Sequence, residues 1–428
     1  MPGNAFLEWG AALFLGVTLL HTFNAGRFHA FRHPFLHLLG EVEFVFAFYG
    51  CLYLIFRALF SPEGAFFPWL SGISLTEALF VFAIMVVAST RPVLRVAESL
   101  IGLLSNALPW PKAYRKTPLP LLFGIVSIGP LLGSIITEPA AMTVAGNLLL
   151  TRVLTPGASR RLRYSVLATL FVNVSIGGVL TSFAAPPVLM VAHAWSWDTP
   201  FMLGTFGIRA LTAVFANATL LALLNRKELL RAHGSGDLLD PARSPAARTR
   251  SPAWITLLNL AALAVLILLG HSPFALVLAT IGALALMLLT RTRQGHLNLK
   301  PSALVAGFLA GLAVLTSDQG FWISPLLAKL SEGGLYLGAI GLTAFTDNAA
   351  LTSLAAKAGS LTNLSRYLIV AGAVTGGGLT IVANAPNPVG FSILKPRFGE
   401  EGLSAKRLFI HALIPTLIAG ALLWKSKL

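Results

Sequence analysis

Thr137-Glu138-Pro139-Ala140-Ala141-Met142-Thr143 interrupts an otherwise apolar stretch, 118–150. A second run, Thr346-Asp347-Asn348-Ala349-Ala350-Leu351-Thr352, interrupts the apolar stretch 335–359 in the same way. The two runs align at an offset of 209 residues, four of seven positions are identical, and an acid follows the threonine in both. Gly129 falls on Gly338 in the same register. A membrane-crossing helix needs about 20 apolar residues. The first stretch is too long for one such helix and both are broken in the middle, so each predicts a helical hairpin with its polar run at the tip.

Just downstream, a second pair of breaks repeats. Gly177-Gly178 through Ala184-Ala185-Pro186-Pro187 aligns with Gly377-Gly378 through Asn384-Ala385-Pro386-Asn387-Pro388 at an offset of 200. Pro139, Pro186, Pro187, Pro386 and Pro388 cannot continue a helix normally. Non-helical backbone at membrane depth survives only where protein or a wet cavity satisfies it. Paired repeats of this kind, with discontinuous helices, are the pattern of secondary transporters whose site lies at the repeat interface.

The surrounding sequence supports a membrane setting. Of the 428 residues, 56% are hydrophobic and only 11% are Asp, Glu, Lys or Arg, against about 25% in a soluble domain. Mean hydropathy is +0.78. Disorder, a coiled coil and an ordinary soluble enzyme are excluded. The expected fold is an all-α polytopic membrane protein with spans at 5–25, 35–60, 73–90, 164–192, 201–224, 254–270, 274–290, 302–316, 366–394 and 408–424. These make ten transmembrane helices, to which the two hairpins are added.

The net charge of +15 does not point to nucleic acid, because 24 of the 31 basic residues fall in six short stretches between spans. Lys and Arg accumulate in cytoplasmic loops. Loops 61–72, 193–200 and 271–273 contain none. Following this parity puts the N-terminus outside, makes 118–150 a re-entrant hairpin from the cytoplasmic side, and makes 335–359 one from the outer side. Residues 1–225 and 253–428 become two inverted-topology repeats of five spans and one hairpin each. Residues 226–252, rich in Arg, Ser, Pro and Gly, become a cytoplasmic linker. The stretch 5–25 reads as a first span and not a cleaved signal peptide, since no basic residue precedes it.

Glu138 and Asp347 are the sharpest candidates. A carboxylate in the membrane is costly and marks a functional site. It can hold a proton, or bind a cation when ionised; competition between the two is the simplest mechanism of cation/proton exchange. Oxygen donors that suit a hard cation such as Na+ surround them in sequence. Thr137, Thr143, Thr346, Asn348 and Thr352 lie on the hairpins; Asn173, Ser175, Thr181 and Ser182 on the first broken span; Thr375, Thr380, Asn384 and Asn387 on the second. The plainer role for any one of these is helix capping or an interhelical hydrogen bond. Asp347, Asn348, Asn384 and Glu138 form the best Na+ set.

Arg209 and Lys357 are possible charge partners for the two acids, although either can also snorkel to the interface. Glu41, Glu43 and Glu77 read as interfacial or scaffold residues. His21, His29, His33 and His37 read as interfacial, and Cys51 as a small packing residue. A single cysteine excludes disulfides and cysteine-based metal sites. The sequence carries no His-Glu-x-x-His, Gly-x-Ser-x-Gly or P-loop motif, which disfavours an ATP-driven pump or an intramembrane metalloprotease, and the leading expectation is not an enzyme. No cofactor is expected. The alternatives are an anion or organic-acid carrier, with half-helix N-termini and Arg209 receiving the anion, and a membrane enzyme or non-transporting scaffold of the same fold.

The run Glu77 to Pro92 and the two hairpin tips resemble a bacterial family of Na+/H+ antiporters. That family looks like a branch of the ion transporter superfamily that holds the NhaB and NhaD type antiporters, arsenite permeases and divalent-anion/sodium symporters. The resemblance covers nearly the whole chain. It implies carboxylate-coupled exchange of monovalent cations and protons across a bacterial inner membrane, and a homodimer with a scaffold part and a moving part that holds the hairpins. The anion symporters usually carry Ser-Asn-Thr at the tips. Acids stand here instead, which argues for a cationic substrate.

Overall fold

A computed structural model describes residues 2–24, 28, 33–231, 252–270, 272–295, 297–359, 361–399 and 402–427. His29 and most of the expected linker 226–252 lie outside the described residues. Among those described, every regular element is helical. The first half holds α1 (Pro2–Asn24), α2 (Val42–Phe60), α3 (Thr76–Ala88), α4 (Arg91–Ala107), α5 (Leu119–Ile136), α6 (Glu138–Leu148), α7 (Arg160–Gly177), α8 (Pro186–Trp195) and α9 (Ile208–Arg231). The second holds α10 (Ala253–Leu269), α11 (Pro273–Leu289), α12 (Leu299–Thr316), α13 (Glu332–Thr343), α14 (Asn348–Ala356), α15 (Asn363–Gly376), α16 (Pro386–Leu394) and α17 (Ala405–Leu423).

Among the described residues seven helices are long and apolar enough to cross a membrane, or eight if α3 and α4, bent by 73° to each other, count as one. The lengths explain the difference from the ten expected spans. Helices α10 and α11 have 17 residues each, α3 has 13, and the second broken span divides into α15 and α16. Conversely α5, the first limb of the first hairpin, has 18 residues and is long enough to cross by itself. The limbs of the second hairpin, α13 and α14, have 12 and 9.

Two local expectations are corrected. The segment after Arg91 reads as a basic loop, yet it forms α4. Its apolar positions Val93, Ala97 and Ile101 recur every four residues and bury one face, which a count of charges conceals. Cys51 is exposed and is no packing residue; it shares α2 with Val45, Phe46, Gly50 and Tyr53, which take the buried positions.

The two broken spans form the centre. Tyr164 and nearly every residue from Val166 to Gly177 of α7 are buried, as are Tyr367 to Gly376 of α15. Helix α5 packs on α7 and α13 packs on α15. Beyond the breaks the pairing crosses over: α8 packs against α14, and α16 packs against α6. Each hairpin is therefore clasped by a half-helix from the other half of the chain.

Outside this centre α2 crosses α12 with backbones in contact. A Cβ placed on Gly50 would stand 2.7 Å from Gly311 Cα, and one on Gly311 would collide with the Phe46 carbonyl. Phe46 and Phe308 meet edge to face, 4.9 Å apart, beside the crossing. Small residues that let backbones touch are how helices associate where lipid removes the hydrophobic drive. Gly311→Val is therefore expected to destabilise the protein by about 1–3 kcal/mol through overpacking. Thermal unfolding in detergent checks this, and an unchanged midpoint would contradict the crossing.

Near one end of the same helices, Asp318 accepts from Tyr53 Oη at 2.6 Å and from Trp69 Nε1 at 3.2 Å, with Arg57 Nε 3.8 Å away. The Arg57 guanidinium lies 4.3 Å over the Trp69 ring. Removing the carboxylate leaves a mostly buried cation unpaired. Asp318→Ala is expected to cost about 2–3 kcal/mol, below the usual figure for a fully buried pair because Asp318 is partly exposed. Chemical denaturation of purified protein measures it.

Candidate functional site

Helix α5 stops at Ile136 and α6 begins at Glu138, so Thr137 alone makes the turn. Its φ of 75° is a strained value for a β-branched residue, of the kind that persists at functional sites. The tip is tied to the break after α7. Ser134 Oγ donates to Gly177 O at 2.7 Å and accepts from Leu180 N at 3.0 Å, and Thr181 Oγ1 donates to Ser134 O at 2.7 Å. The second tip is tied to its own break in the same manner. Thr380 Oγ1 donates to Ala344 O at 2.9 Å and Asn348 N donates to Ala383 O at 3.1 Å. The chain re-enters helix at α8 and α16 on prolines, which have no N–H to leave unpaired in a first turn.

Glu138 is fully buried. Its Oε2 accepts from Asn384 Nδ2 at 2.8 Å, a bond between the two halves of the chain, and its Oε1 has no partner. The carboxylate lies directly against the first break: a Cβ on Gly178 would come within 2.5 Å of Oε1 and 2.6 Å of Cγ. Asp347 is also buried but behaves differently. It is the N-cap of α14, and its Oδ1 accepts from Ala349 N at 2.7 Å.

A small cavity, large enough for about one water-sized body, is lined by Asp347 and Asn384 together with Glu43 of α2. Sequence reading left Glu43 with the scaffold. The signal that could have placed it is its spacing to Phe46 and Gly50: positions 43, 46 and 50 share one helix face, the face that meets α12.

Oxygen acceptors without donors collect on the tips and breaks. Thr137 Oγ1, Glu138 Oε1, Asn348 Oδ1, Asn384 Oδ1 and Asn387 Oδ1 are all buried and unpartnered. Buried polar atoms are ordinarily paired, so a group of exceptions needs an explanation. The Asn nitrogens are by contrast engaged. Asn348 Nδ2 donates to Ser175 Oγ at 3.4 Å, and Asn387 Nδ2 donates to Gly377 O at 2.7 Å and Thr380 O at 2.9 Å. Gly377 leaves no room for a side chain between Ser175 and Asn348. Buried oxygens left without donors suit a hard cation or a proton.

Other candidates are committed elsewhere. Asn173 Nδ2 donates to Val126 O at 2.7 Å and Val214 O at 3.1 Å, while its Oδ1 accepts from Asn217, so it ties α7 to α5 and α9. Thr143, Thr352 and Thr375 return their hydroxyls to carbonyls of their own helices. Thr346 precedes the second tip and is partly exposed. Ser182 meets the Thr199 hydroxyl at 3.3 Å.

Arg209 does not pair with either acid. Its Nη1 donates to the carbonyls of Leu422 at 2.9 Å and Trp424 at 2.8 Å. The free carbonyls and negative dipole end of α17 are a natural partner for a cation. Lys357 is the exposed C-cap of α14 and forms no ion pair with Asp347. Glu41 stands at the N-cap position of α2 without a side-chain capping bond, and Glu77 accepts from Ser74 Oγ at 2.6 Å at the start of α3. His21 lies between Tyr49 Oη and Leu39 O, and His33 and His37 are exposed. Among the described residues no group of three His, Cys, Asp or Glu side chains is placed to hold a metal ion.

No curated protein matches the chain. Among solved structures it is similar to the crystal structure of the Alcanivorax borkumensis YdaH transporter, described as having an unusual topology. The two share 16% identity over 96% of each chain, with a TM-score of 0.48. The family model described as "Putative Na+/H+ antiporter" matches residues 6–425. With the apolar helices above, this match makes the chain a multi-pass membrane protein of the transporter family bearing that description.

Proposed function

We propose that the protein exchanges Na+ or another monovalent cation for protons by alternating access, with Glu138 and Asp347 as the carboxylates that alternate between proton and cation. The observation that carries this reading is the Glu138 carboxylate, buried without a cationic partner, with one oxygen held by Asn384 and the other left without a donor. An anion carrier is the weaker reading. The N-termini of α6 and α14, where an anion would dock, carry Glu138 and Asp347 themselves.

The same reading treats 1–225 and 253–428 as inverted repeats joined by a cytoplasmic linker, with ten spans and two re-entrant hairpins. The crossed pairing of α8 with α14 and α16 with α6 supports it, because a two-fold relation between halves requires both contacts. Sidedness is consistent as well. Trp69 and Asp318, both assigned outside, are bonded to each other. Ser159 and Glu228, both assigned inside, are also bonded, at 2.6 Å. A bacterial inner-membrane location, an outer N-terminus, a homodimer and membership of the ion transporter superfamily belong to the same proposal.

The test is proton movement in everted membrane vesicles, read by fluorescence dequenching on addition of Na+, Li+ or K+ across pH 6 to 9, roughly the working range of such carriers. Wild type is expected to give cation-dependent dequenching. Its absence with every ion would remove the exchange reading.

A further inference from the structure

We infer that Glu43 is a ligand of the cation, supplied from α2 across the cavity that faces the Asp347 tip. The inference rests on the exchange reading for the class of ion and adds the residue and the structural unit that complete its site.

Three observations converge. The cavity is lined by two carboxylates, Glu43 and Asp347, from elements far apart in sequence. Asn384, 1% exposed, lines the same cavity, and its Oδ1 has no donor. Because Asn384 Nδ2 is turned to Glu138, the oxygen at the other corner of the planar amide is turned away from it. The space takes about one water-sized body, which is also enough for a bare monovalent cation. Two carboxylates and an amide oxygen around so small a space leave negative charge facing negative charge at low dielectric, and a cation between them removes that repulsion. The remaining wall, Ile381, Val382 and Ala385 of the second break with Pro388 of α16, Val42 of α2 and Phe308 of α12, is backbone turn and apolar surface. Among the residues of the wall no basic side chain competes for the acids.

Glu43 is also held in place independently of the hairpins. Helix α2 packs chiefly on α1 and α12, and the Gly50–Gly311 contact fixes it two turns from Glu43. The cavity is thus a seam between the α2–α12 pair and the second hairpin with its broken span. A cation bound there has ligands on both sides of the seam.

The experiment uses the full-length protein, wild type, E43Q and E43D, with two readouts. In proteoliposomes the Na+ dependence of exchange is measured. E43Q is expected to raise the apparent Na+ KM about fivefold or more with the maximal rate within about twofold, and E43D to recover most of the loss. A purely structural role would lower the maximal rate and leave KM in place. In detergent, thermal unfolding is followed with NaCl against choline chloride at equal ionic strength. Na+ is expected to stabilise wild type and E43D, and E43Q far less.

E43Q matching wild type in both readouts overturns the inference. So does a wild type that no monovalent cation stabilises. A wild type that is stabilised by Na+ through Glu43 but moves no protons upholds the site and overturns the exchange reading.

Discussion

Glu138→Gln is expected to reduce cation-dependent proton movement at least about 30-fold, to near the background of empty vesicles. Glutamine keeps the shape of the side chain, and its Oε1 can still accept from Asn384 Nδ2. What it loses is the charge and the proton. A charged contact contributes about 1.5–3 kcal/mol, and each 1.4 kcal/mol is a factor of ten. Loss of the group that carries the proton adds to this. The fold should not suffer. A buried carboxylate without a cationic partner costs stability, so the thermal midpoint of E138Q is expected to equal or exceed that of wild type, as is common where a site is strained for function. An inactive variant with a lowered midpoint would mean a folding defect. An active one would move the proton site away from Glu138. Asp347→Asn is expected to show the same loss of exchange but with a smaller gain or a slight loss in stability, since Asp347 also caps α14.

Gly178→Ala is expected to lower exchange about tenfold or more and to destabilise the protein by about 1–3 kcal/mol. A single methyl group at this position would stand 2.5 Å from Glu138 Oε1 and 2.9 Å from Cδ. The carboxyl group must retreat, and with it the bond to Asn384. The origin of the effect can be isolated with a double-mutant cycle. Shortening Glu138 to alanine opens the space the methyl group needs, so the penalty of Gly178→Ala should largely vanish in the Glu138→Ala background. Additive destabilisation in the double variant would show that the glycine serves the backbone of the break and not the room for the carboxylate.

The helix breaks at Thr137, before Asn348 and ahead of Pro186 and Pro386 were legible in the sequence, because polar residues and prolines in apolar surroundings have few physical solutions. The roles of the two acids were less so. A repeat suggests equivalent duties, yet Glu138 reaches across to Asn384 while Asp347 caps its own helix. The reason lies one element further on. At the position that matches Asn384, the first half carries Ala184, which offers Asp347 no amide. Arg209 was misjudged for a different reason: its partners are main-chain carbonyls of Leu422 and Trp424, and a residue-type argument sees only side chains. Glu43 was underrated because its spacing to Phe46 and Gly50 marks a helix face without saying what that face meets. Its place follows from a helix crossing at Gly50 and Gly311, a contact between positions 261 residues apart in the sequence.

The crossed clasp of hairpins and half-helices has a consequence for how the chain is made. Synthesis delivers Glu138 to the membrane long before Asn384 exists, and α14 must await nothing, since α8 is already there when it arrives. The first hairpin therefore spends the interval of more than two hundred residues with its carboxylate unclasped by its eventual partner, α16, whereas the second meets its partner at once. Assembly is asymmetric in time even where the architecture is paired in space. A ribosome stalled before Asn384 would leave a chain with most of its helices made and nothing to meet the Glu138 carboxylate.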